Sequence, residues 1–277
     1  MGFLSNYYTK PGRGIDPDAP KKRAFFRFFE TFGLRFWKLV KLNLMMALAM
    51  LPTAIILLVL SGFVANRLAY NLADGNMQVA IPYAAILRVM VVYFFTVLWG
   101  TGPATAGLAH ILRNFSRDEH AWLWSDFKDG VKSNFKQSTL VFLIDVLAMF
   151  ILFFGYNVYS SYGGFTGYLR YVIMLVVIVY TLMHLYIYPL MVTFELSLKE
   201  IYKNAMIFAM AKLPTNILIL ASVIGIHALA IYGLAVGGTI AVVGVTVLEV
   251  SLLGVFTSFI VSFNANEKFS KYMEKQD

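Results

Sequence analysis

The chain has 277 residues, of which 59% are hydrophobic and only 14% charged, and its formal net charge is +8. Soluble domains carry about 25% charged residues, so this composition excludes an ordinary soluble domain and indicates a membrane protein. The chain has no cysteine, which excludes disulfide scaffolds, thiolate metal sites and cysteine nucleophiles. The basic residues lie beside apolar segments, which favours a role in membrane topology over binding of nucleic acid.

The first 24 residues are rich in Gly, Pro, Asp and basic residues and predict a flexible or loosely docked arm. They do not resemble a secretory signal, because no short apolar segment with a small-residue cleavage site follows. The next segment, residues 25–41, is aromatic and basic, and Arg27, Glu30, Lys38 and Lys41 share one helical face. This pattern is typical of an amphipathic helix at a membrane surface.

Six later segments each have roughly the 20 apolar residues that a membrane span requires. Residues 64–88, between the first two spans, are expected to form a long loop on the outer side. The pattern predicts an all-α polytopic protein in which residues 25–277 form a single six-span domain. The predicted spans are residues 42–63, 90–111, 140–156, 171–194, 217–236 and 238–261.

The basic residues predict the orientation of these spans. Of the 23 Lys and Arg residues, only Arg67, Arg88 and Arg170 fall on one side of the predicted membrane. Lys and Arg concentrate in cytoplasmic segments, so we expect both termini to be cytoplasmic. The other twenty basic residues lie in residues 1–41, 112–137, 196–214 and after 262.

The segment between residues 100 and 137 is the most distinctive part of the chain. Gly100, Gly102 and Pro103 interrupt the second span. Such breaks are tolerated where they line a cavity or are covered by other helices. In residues 120–137, an apolar face with Trp124 and Phe127 lies opposite several lysines, which is typical of a helix in the membrane surface but equally of a helix docked on other spans.

A faint internal repeat adds a third amphipathic helix. Residues 45–52 (MMALAMLP) align with residues 207–214 (IFAMAKLP), and a basic helix precedes each copy. The helix at 196–213 therefore matches the one at 25–41, and the helix at 120–137 leads into its span without the proline. This pattern indicates three units, each with a cytoplasmic-side helix followed by a pair of spans.

Four ionisable residues fall inside the predicted spans: Asp145, His184, His227 and Glu249. Charge is costly in hydrocarbon, so such residues usually face the protein interior. One interpretation is a proton or substrate relay built on Asp145, Glu249 and His227. The other is a set of hydrogen-bonded ties between helices, which is favoured because the four groups are scattered over four spans.

Motifs for catalysis and energy supply are missing from the chain. There is no Gly-x-x-x-x-Gly-Lys phosphate loop, so ATP could act only through a partner ATPase. There is no zinc-protease or serine-hydrolase motif and no His-rich metal spacing. We therefore expect no enzymatic activity, no cofactor and no metal.

Several short polar motifs are spaced along the chain from the helix break onward. They are Gly102-Pro103-Ala104-Thr105-Ala106-Gly107, Leu112-Arg113-Asn114, Trp124-Ser125-Asp126-Phe127, Asn134-Phe135-Lys136-Gln137, Tyr188-Pro189, Phe194-Glu195-Leu196-Ser197-Leu198-Lys199 and Leu213-Pro214. Together they resemble the YesL-like family of bacterial integral membrane proteins, whose biochemical function is undefined. The resemblance implies a multi-pass protein of the bacterial cell membrane. Members are often encoded beside ABC importers for oligosaccharides, which implies a role in sugar uptake.

From these features we expect a non-catalytic accessory subunit or assembly factor of a carbohydrate ABC importer, bound in the lipid bilayer to its permease subunits. The alternative is an autonomous secondary transporter that uses Asp145 or Glu249 as the coupling carboxylate. The sugar, the stoichiometry and the role of the buried acids stay open. Candidate residues for binding the permeases are Trp124, Phe127, Asn134, Glu195 and Lys199.

Overall fold

The computed structural model describes residues 22–273, so the predicted arm lies outside the described residues up to residue 21. Within the described range all regular structure is helical. A π-helical segment, Glu249–Leu253, joins the last two helices. The α-helices are α1 (Ala24–Ala49), α2 (Leu51–Leu72), α3 (Met77–Leu98), α4 (Pro103–Ser116), α5 (Leu123–Ser160), α6 (Gly164–Gly167), α7 (Leu169–Thr193), α8 (Leu198–Ala211), α9 (Leu213–Val236), α10 (Thr239–Leu248) and α11 (Gly254–Met273).

The prediction of six apolar spans in an all-helical protein is confirmed for the described residues. By length and composition, six helical stretches could cross a membrane. Their bounds differ from the predicted ones mainly in the first half of the chain. The stretches are Leu51–Leu72, Met77–Leu98, Leu123–Ser160, Gly164–Thr193, Leu213–Val236 and Val242–Lys271.

The predicted outer loop at residues 64–88 is wrong. Helices α2 and α3 occupy most of it and are joined by only four residues, 73–76. Asp74 and Gly75 adopt positive φ angles of 49° and 80°, and the Asn76 side chain caps α3 by accepting a hydrogen bond from Gln78 N at 3.1 Å. Turn-forming residues are thus confined to this short connection, and the segments beside it are apolar enough to remain helical.

This correction moves Arg88 from a loop into the middle of α3. Its Nη2 donates to Asn66 Oδ1 of α2 at 3.3 Å. A Cβ on Gly62 would lie only 3.1 Å from the same nitrogen, so the missing side chain leaves room for the guanidinium. Arg88 therefore helps to hold the α2–α3 pair together.

The predicted spans at 42–63 and 90–111 are each divided by a helix break. Helix α1 ends at Ala49 and α2 begins at Leu51, with a proline in its first turn. The second break separates α3 from α4, and there Gly100 and Gly102 have φ angles of 90° and 71°. Glycine adopts this left-handed region at little cost, so the chain can turn sharply between two helices.

The predicted amphipathic helix at 120–137 is the first part of α5, which continues unbroken to Ser160. Its apolar face is divided. Phe127 is buried at 6% exposure, whereas Trp124 is 69% exposed. Helix α4 packs on Phe127 through Gly107, whose missing side chain allows the approach. This part of α5 is therefore docked on another helix along one side.

The second half of α7 is the centre of the fold. Every residue from 181 to 192 is buried, including Pro189 within the helix, whereas most of the first half is at least partly exposed. Residues of α4, α5, α8 and α11 pack around it in one apolar cluster. The apolar sequence of α7 indicates a membrane span. It does not show which half of the helix other helices enclose, because that depends on their packing.

Both copies of the predicted repeat form the same helix–break–helix joint. Helix α8 ends at Ala211 and α9 begins at Leu213, just as α1 ends at Ala49 and α2 begins at Leu51. At the second joint, the Asn216 amide donates to the carbonyls of Phe208 and Ala209 at 2.9 and 2.8 Å. The third predicted unit lacks this joint, because α5 is continuous.

One end of the helix bundle gathers the start of α1 and the ends of α4 and α11. Arg27 forms an ion pair with Glu267 at 2.9 Å, and Asn266 donates to Ser116 at 2.9 Å. Because most Lys and Arg residues lie in the segments that meet here, we refer to this end, which includes residues 22–35, 113–137, 193–203 and 264–273, as the basic end.

Candidate functional site within the helix bundle

The first polar cluster joins Tyr93 of α3, His227 of α9 and Glu249 of the π-helical segment. The Tyr93 hydroxyl lies 2.5 Å from Glu249 Oε1 and is in short contact with His227 Nδ1. His227 Nδ1 also lies 3.3 Å from Glu249 Oε1. On the other side of the ring, Nε2 lies 3.1 Å from Thr257 Oγ1. The carboxylate and the imidazole thus share a single hydrogen-bonded network.

The π-helical segment positions Glu249, and Asn43 of α1 stabilises that segment. A π-bulge leaves backbone groups without their usual helical partners. The Asn43 amide nitrogen donates to the carbonyls of Glu249 and Val250 at 3.0 and 2.7 Å, and its oxygen accepts from Val255 N at 2.8 Å. One side chain from another helix therefore supplies three of the bonds that the bulge needs.

The hydrogen bonds limit how protons are distributed in this cluster. The Thr257 hydroxyl has one proton, and when that proton points to the carbonyl of Leu253 or Gly254, each 3.1 Å away, the Thr257 oxygen accepts from His227 Nε2–H. If Tyr93 donates to Glu249, then His227 Nδ1 is a donor too, and an imidazolium faces a carboxylate. If Tyr93 donates to Nδ1 instead, the carboxyl group carries the proton. In both arrangements the net charge is zero.

The second cluster joins Asp145 of α5 to Tyr180 and His184 of α7. Tyr180 donates to Asp145 Oδ1 at 2.6 Å, and His184 Nε2 lies 3.0 Å from the same oxygen. The indole of Trp99 stacks on the His184 ring with centroids 5.8 Å apart. Asp145 is fully buried, and its Oδ2 has no hydrogen-bond partner among the described residues.

A cavity lies between the two clusters. Its larger part, about 250 Å³, is bordered by Tyr93, His227 and Glu249. Its smaller part, about 90 Å³, is bordered by His184 and by Gly100 of the helix break. The two parts are adjacent because they share six wall residues: Met46, Thr96, Val97, Leu108, Thr257 and Ser258.

The helix break belongs to the wall of this cavity. Thr101 N donates to Thr105 Oγ1 at 2.7 Å, and Gly102 N donates to the Tyr188 hydroxyl at 3.2 Å. Side chains therefore satisfy the backbone amides that the break exposes. A Cβ on Gly100 would lie 2.9 Å from both Thr105 Oγ1 and Tyr188 Cε2. This answers the question left open by the sequence: the break is both covered by a neighbouring helix and in contact with a cavity.

The sequence placed Asp145, His184, His227 and Glu249 within spans but did not identify their partners, and it assigned Arg88 to a loop. The four residues were expected to be scattered, whereas the structure pairs Asp145 with His184 and His227 with Glu249. Tyr93, Tyr180 and Asn43 were missed. Asn43 could have been found from the sequence, because it is a single amide side chain in an apolar stretch. Tyr93 and Tyr180 could not, because tyrosines on helix surfaces are too common to indicate a buried hydrogen-bond network.

The five residues expected to bind permeases lie in different environments. Trp124, Glu195 and Lys199 are exposed. Phe127 is buried against α4 and is not available to a partner. Asn134 donates to the carbonyl of Gly130 within α5 at 2.9 Å. The Gln137 amide donates to Leu196 O at 2.7 Å, which places α5 beside the connection that contains Glu195.

The basic end offers no obvious metal centre. Across residues 22–273, no three His, Asp or Glu side chains are grouped as metal ligands would be. His110 of α4 lies against Gly130 of α5. Burial lowers the pKa of His110 below its ordinary value, and the nearby charge of Arg113 lowers the pKa further.

Neither the curated proteins nor the solved structures contain a match to this chain. A family model does match one segment. That segment runs from α3 through the helix break and α4 to near the end of α5, and so contains Asp145 and most of the motifs that resemble the YesL-like proteins, which belong to the same family. Residues 81–156 thus match the family described as "Protein of unknown function, DUF624".

Proposed function

We propose that the protein is a proton-linked transporter of the bacterial cell membrane in which Glu249 exchanges protons with the internal cavity directly and Asp145 does so through His184. One observation carries this proposal: His227 and Glu249 line the larger part of the cavity, His184, the partner of Asp145, lines the smaller part, and residues of the helix break line both. The sequence favoured an accessory subunit because it has no phosphate loop, no evident relay and distinctive motifs gathered on one face, and because it resembles the YesL-like family. The pairing of the four ionisable groups removes only the second of these reasons.

The geometry favours a relay over simple ties between helices. A hydrogen bond that only holds two helices together needs no cavity beside it, whereas His184 and His227 both line the cavity here. Glu249 also keeps 19% of its side chain exposed and lines the larger part of the cavity, so it is not sealed within the protein. Ionisable groups inside a membrane often mark proton relays and ion pathways, and helix breaks and π-bulges often occur at binding sites.

The size of the cavity bears on the solute. Pockets for drug-sized ligands have volumes of about 300–1,000 Å³, and the larger part of this cavity has about 250 Å³. An oligosaccharide would not fit in that space. The solute that this chain itself transports is therefore small, and its movement is coupled to that of protons.

The amide variants Glu249→Gln and Asp145→Asn test the proposal. Each keeps the shape of the side chain but cannot release a proton, so we expect proton flux to fall at least tenfold. Flux is measured with a pH-sensitive dye inside proteoliposomes after a pH gradient or solute gradient is imposed. Glu195→Gln, which changes an exposed carboxylate outside the cavity, is the matched control. Wild-type flux in both amide variants would show that the pairs are structural ties.

A second candidate function is the accessory subunit of a carbohydrate ABC importer. It is favoured by an exposed aromatic pair at the basic end, Trp122 and Trp124, with exposures of 71% and 69%, and by the resemblance to YesL-like proteins. Aromatic side chains are enriched at the centres of protein interfaces. In this case ATP is used by the partner's ATPase, and the pair binds the permease subunits.

The double substitution Trp122→Ala, Trp124→Ala tests this second candidate. We expect at least a tenfold loss of permease subunits that co-purify in mild detergent, because each anchor contributes about 2 kcal/mol. Trp37→Ala is the control, since Trp37 of α1 is equally exposed, at 73%, and lies outside the proposed surface. A wild-type protein that purifies alone from cells expressing the neighbouring importer would exclude this function.

The proposed orientation places the basic end in the cytoplasm, following the bias of Lys and Arg toward that side. Single cysteines report on it cleanly because the chain has none of its own. Cysteines at Gln78 and Ser161 should react with an impermeant maleimide in intact cells. A cysteine at Ser133 should react only after the membrane is permeabilised, and labelling of Ser133→Cys in intact cells would contradict the orientation.

A further inference from the structure

We infer that the larger part of the cavity binds a monovalent cation in competition with the proton that Glu249 and His227 share. This inference rests on the proposed transport function and identifies the class of its solute. Three observations support it: which charged residues line the cavity, how the Tyr93–His227–Glu249 cluster is hydrogen-bonded, and how much space lies beside Glu249.

The wall of the larger part contains a single acidic residue, Glu249, and neither lysine nor arginine. His227 is the only other wall residue that can become charged near neutral pH. The titratable groups that face Glu249 from the surrounding helices are His227 of α9 and Tyr93 of α3. Helices α1 and α11 contribute the uncharged side chains of Asn43 and Thr257. No fixed positive charge in the wall opposes a cation.

The cluster is neutral only while it holds its shared proton. With that proton it is either an imidazolium–carboxylate pair or an imidazole–carboxylic acid pair, as the hydrogen bonds allow. When the proton leaves to water, a neutral imidazole and a carboxylate remain, with a net charge of −1. An uncompensated charge is strongly disfavoured in a membrane interior, so a cation that enters the cavity replaces the lost proton one for one.

The cavity offers suitable contacts for such a cation. Tyr93 and His227 both engage Glu249 through Oε1, which leaves Oε2 for a ligand. Thr96, Thr101 and Ser258 also line this part of the cavity. A volume of about 250 Å³ admits an alkali ion with a few waters or a small organic ammonium, since each water occupies about 30 Å³.

Proton release measures this exchange directly. Purified protein in nanodiscs, held in weakly buffered solution with a pH dye, is mixed with sodium chloride or with methylammonium chloride. We expect up to one proton released per protein, and an apparent Kd that rises up to tenfold for each unit by which the pH is lowered. Release with only one of the two salts identifies the cation as an alkali ion or an ammonium.

The variants separate this inference from the proposed function. Glu249→Gln should release no proton, whereas Glu195→Gln should behave as wild type, and empty nanodiscs give the lipid background. Should Glu249→Gln fail to fold, the pH dependence of the wild-type apparent Kd still decides the question. Absence of proton release with both salts, or an apparent Kd independent of pH, overturns the cation site. Glu249-dependent proton flux would then leave the transport function standing.

Discussion

Replacing Asn43 with Leu is expected to destabilise the protein severely and to disconnect Glu249 from its partners. The substitution removes two donors and one acceptor from the π-helical segment at once. Buried groups left without partners cost about 1–3 kcal/mol each in soluble proteins, and hydrogen bonds between membrane helices average about 0.6 kcal/mol. Three such losses therefore amount to at least about 2 kcal/mol.

The functional effect follows from helix geometry. If the bulge relaxes into a regular α-helix, each residue on one side of it rotates by about 100° relative to the other side. Glu249 would then point away from His227 and Tyr93. We expect Asn43→Leu to show a clearly lower thermal midpoint in detergent and, where folded protein is recovered, proton flux as low as that of Glu249→Gln.

Asn157→Leu is the matched control for this prediction. Asn157 is also a helix asparagine, but its amide donates only to Phe153 O within α5, at 2.8 Å. Its replacement should therefore leave both the thermal midpoint and the flux near wild type. If Asn43→Leu melts no earlier than Asn157→Leu, the amide does not support the bulge, and the position of Glu249 has another cause.

The sequence was sufficient to predict the helical class and the number of spans, because a long apolar run is a local property. Helix ends were harder to locate. Met50 and Lys212 interrupt apolar segments without any loop, so the two joints where α1 meets α2 and α8 meets α9 are visible only as a proline following leucine. Segment 64–88 contains polar residues such as Arg67 and Arg88, which lower its hydropathy and make its two helices hard to distinguish from a loop in the sequence.

The functional centre was only partly predictable. Individual residues such as Asp145 and Glu249 stand out because charge is rare in apolar spans. Their pairing depends on which helix faces share a boundary, and no local pattern contains that information. The same limit applies to Phe127. Its helical spacing with Trp124 predicted one common surface, but α4 covers one of these side chains and leaves the other exposed.

Replacing Gly107 with Leu is expected to prevent α4 and α5 from packing together. A Cβ at this position would lie 2.7 Å from Val131 Cγ2 and 2.9 Å from the backbone oxygen of Phe127. Val131 could change rotamer, but the Phe127 carbonyl is fixed within α5. The opposite side of the contact is equally close, since a Cβ on Gly130 would lie 3.2 Å from Gly107 Cα. The two glycines thus form one close crossing.

A leucine there must force the two helices apart. Overpacking a core commonly costs about 1–3 kcal/mol, and a helix displacement costs more because α4 also contacts α7, where Arg113 donates to Val192 O. We expect aggregated or poorly expressed protein in size-exclusion chromatography, and a lower thermal midpoint for any monodisperse fraction. Gly107→Ala should show the same effect more weakly.

Gly225→Leu is the control, because a Cβ at Gly225 of α9 would meet no atom within 4 Å. It introduces the same side chain into another membrane helix, so it tests whether a leucine in place of a helical glycine is harmful in itself. We expect it to elute and melt as the wild type does. A monodisperse Gly107→Leu protein with the wild-type midpoint would show that α4 and α5 are not held at this distance.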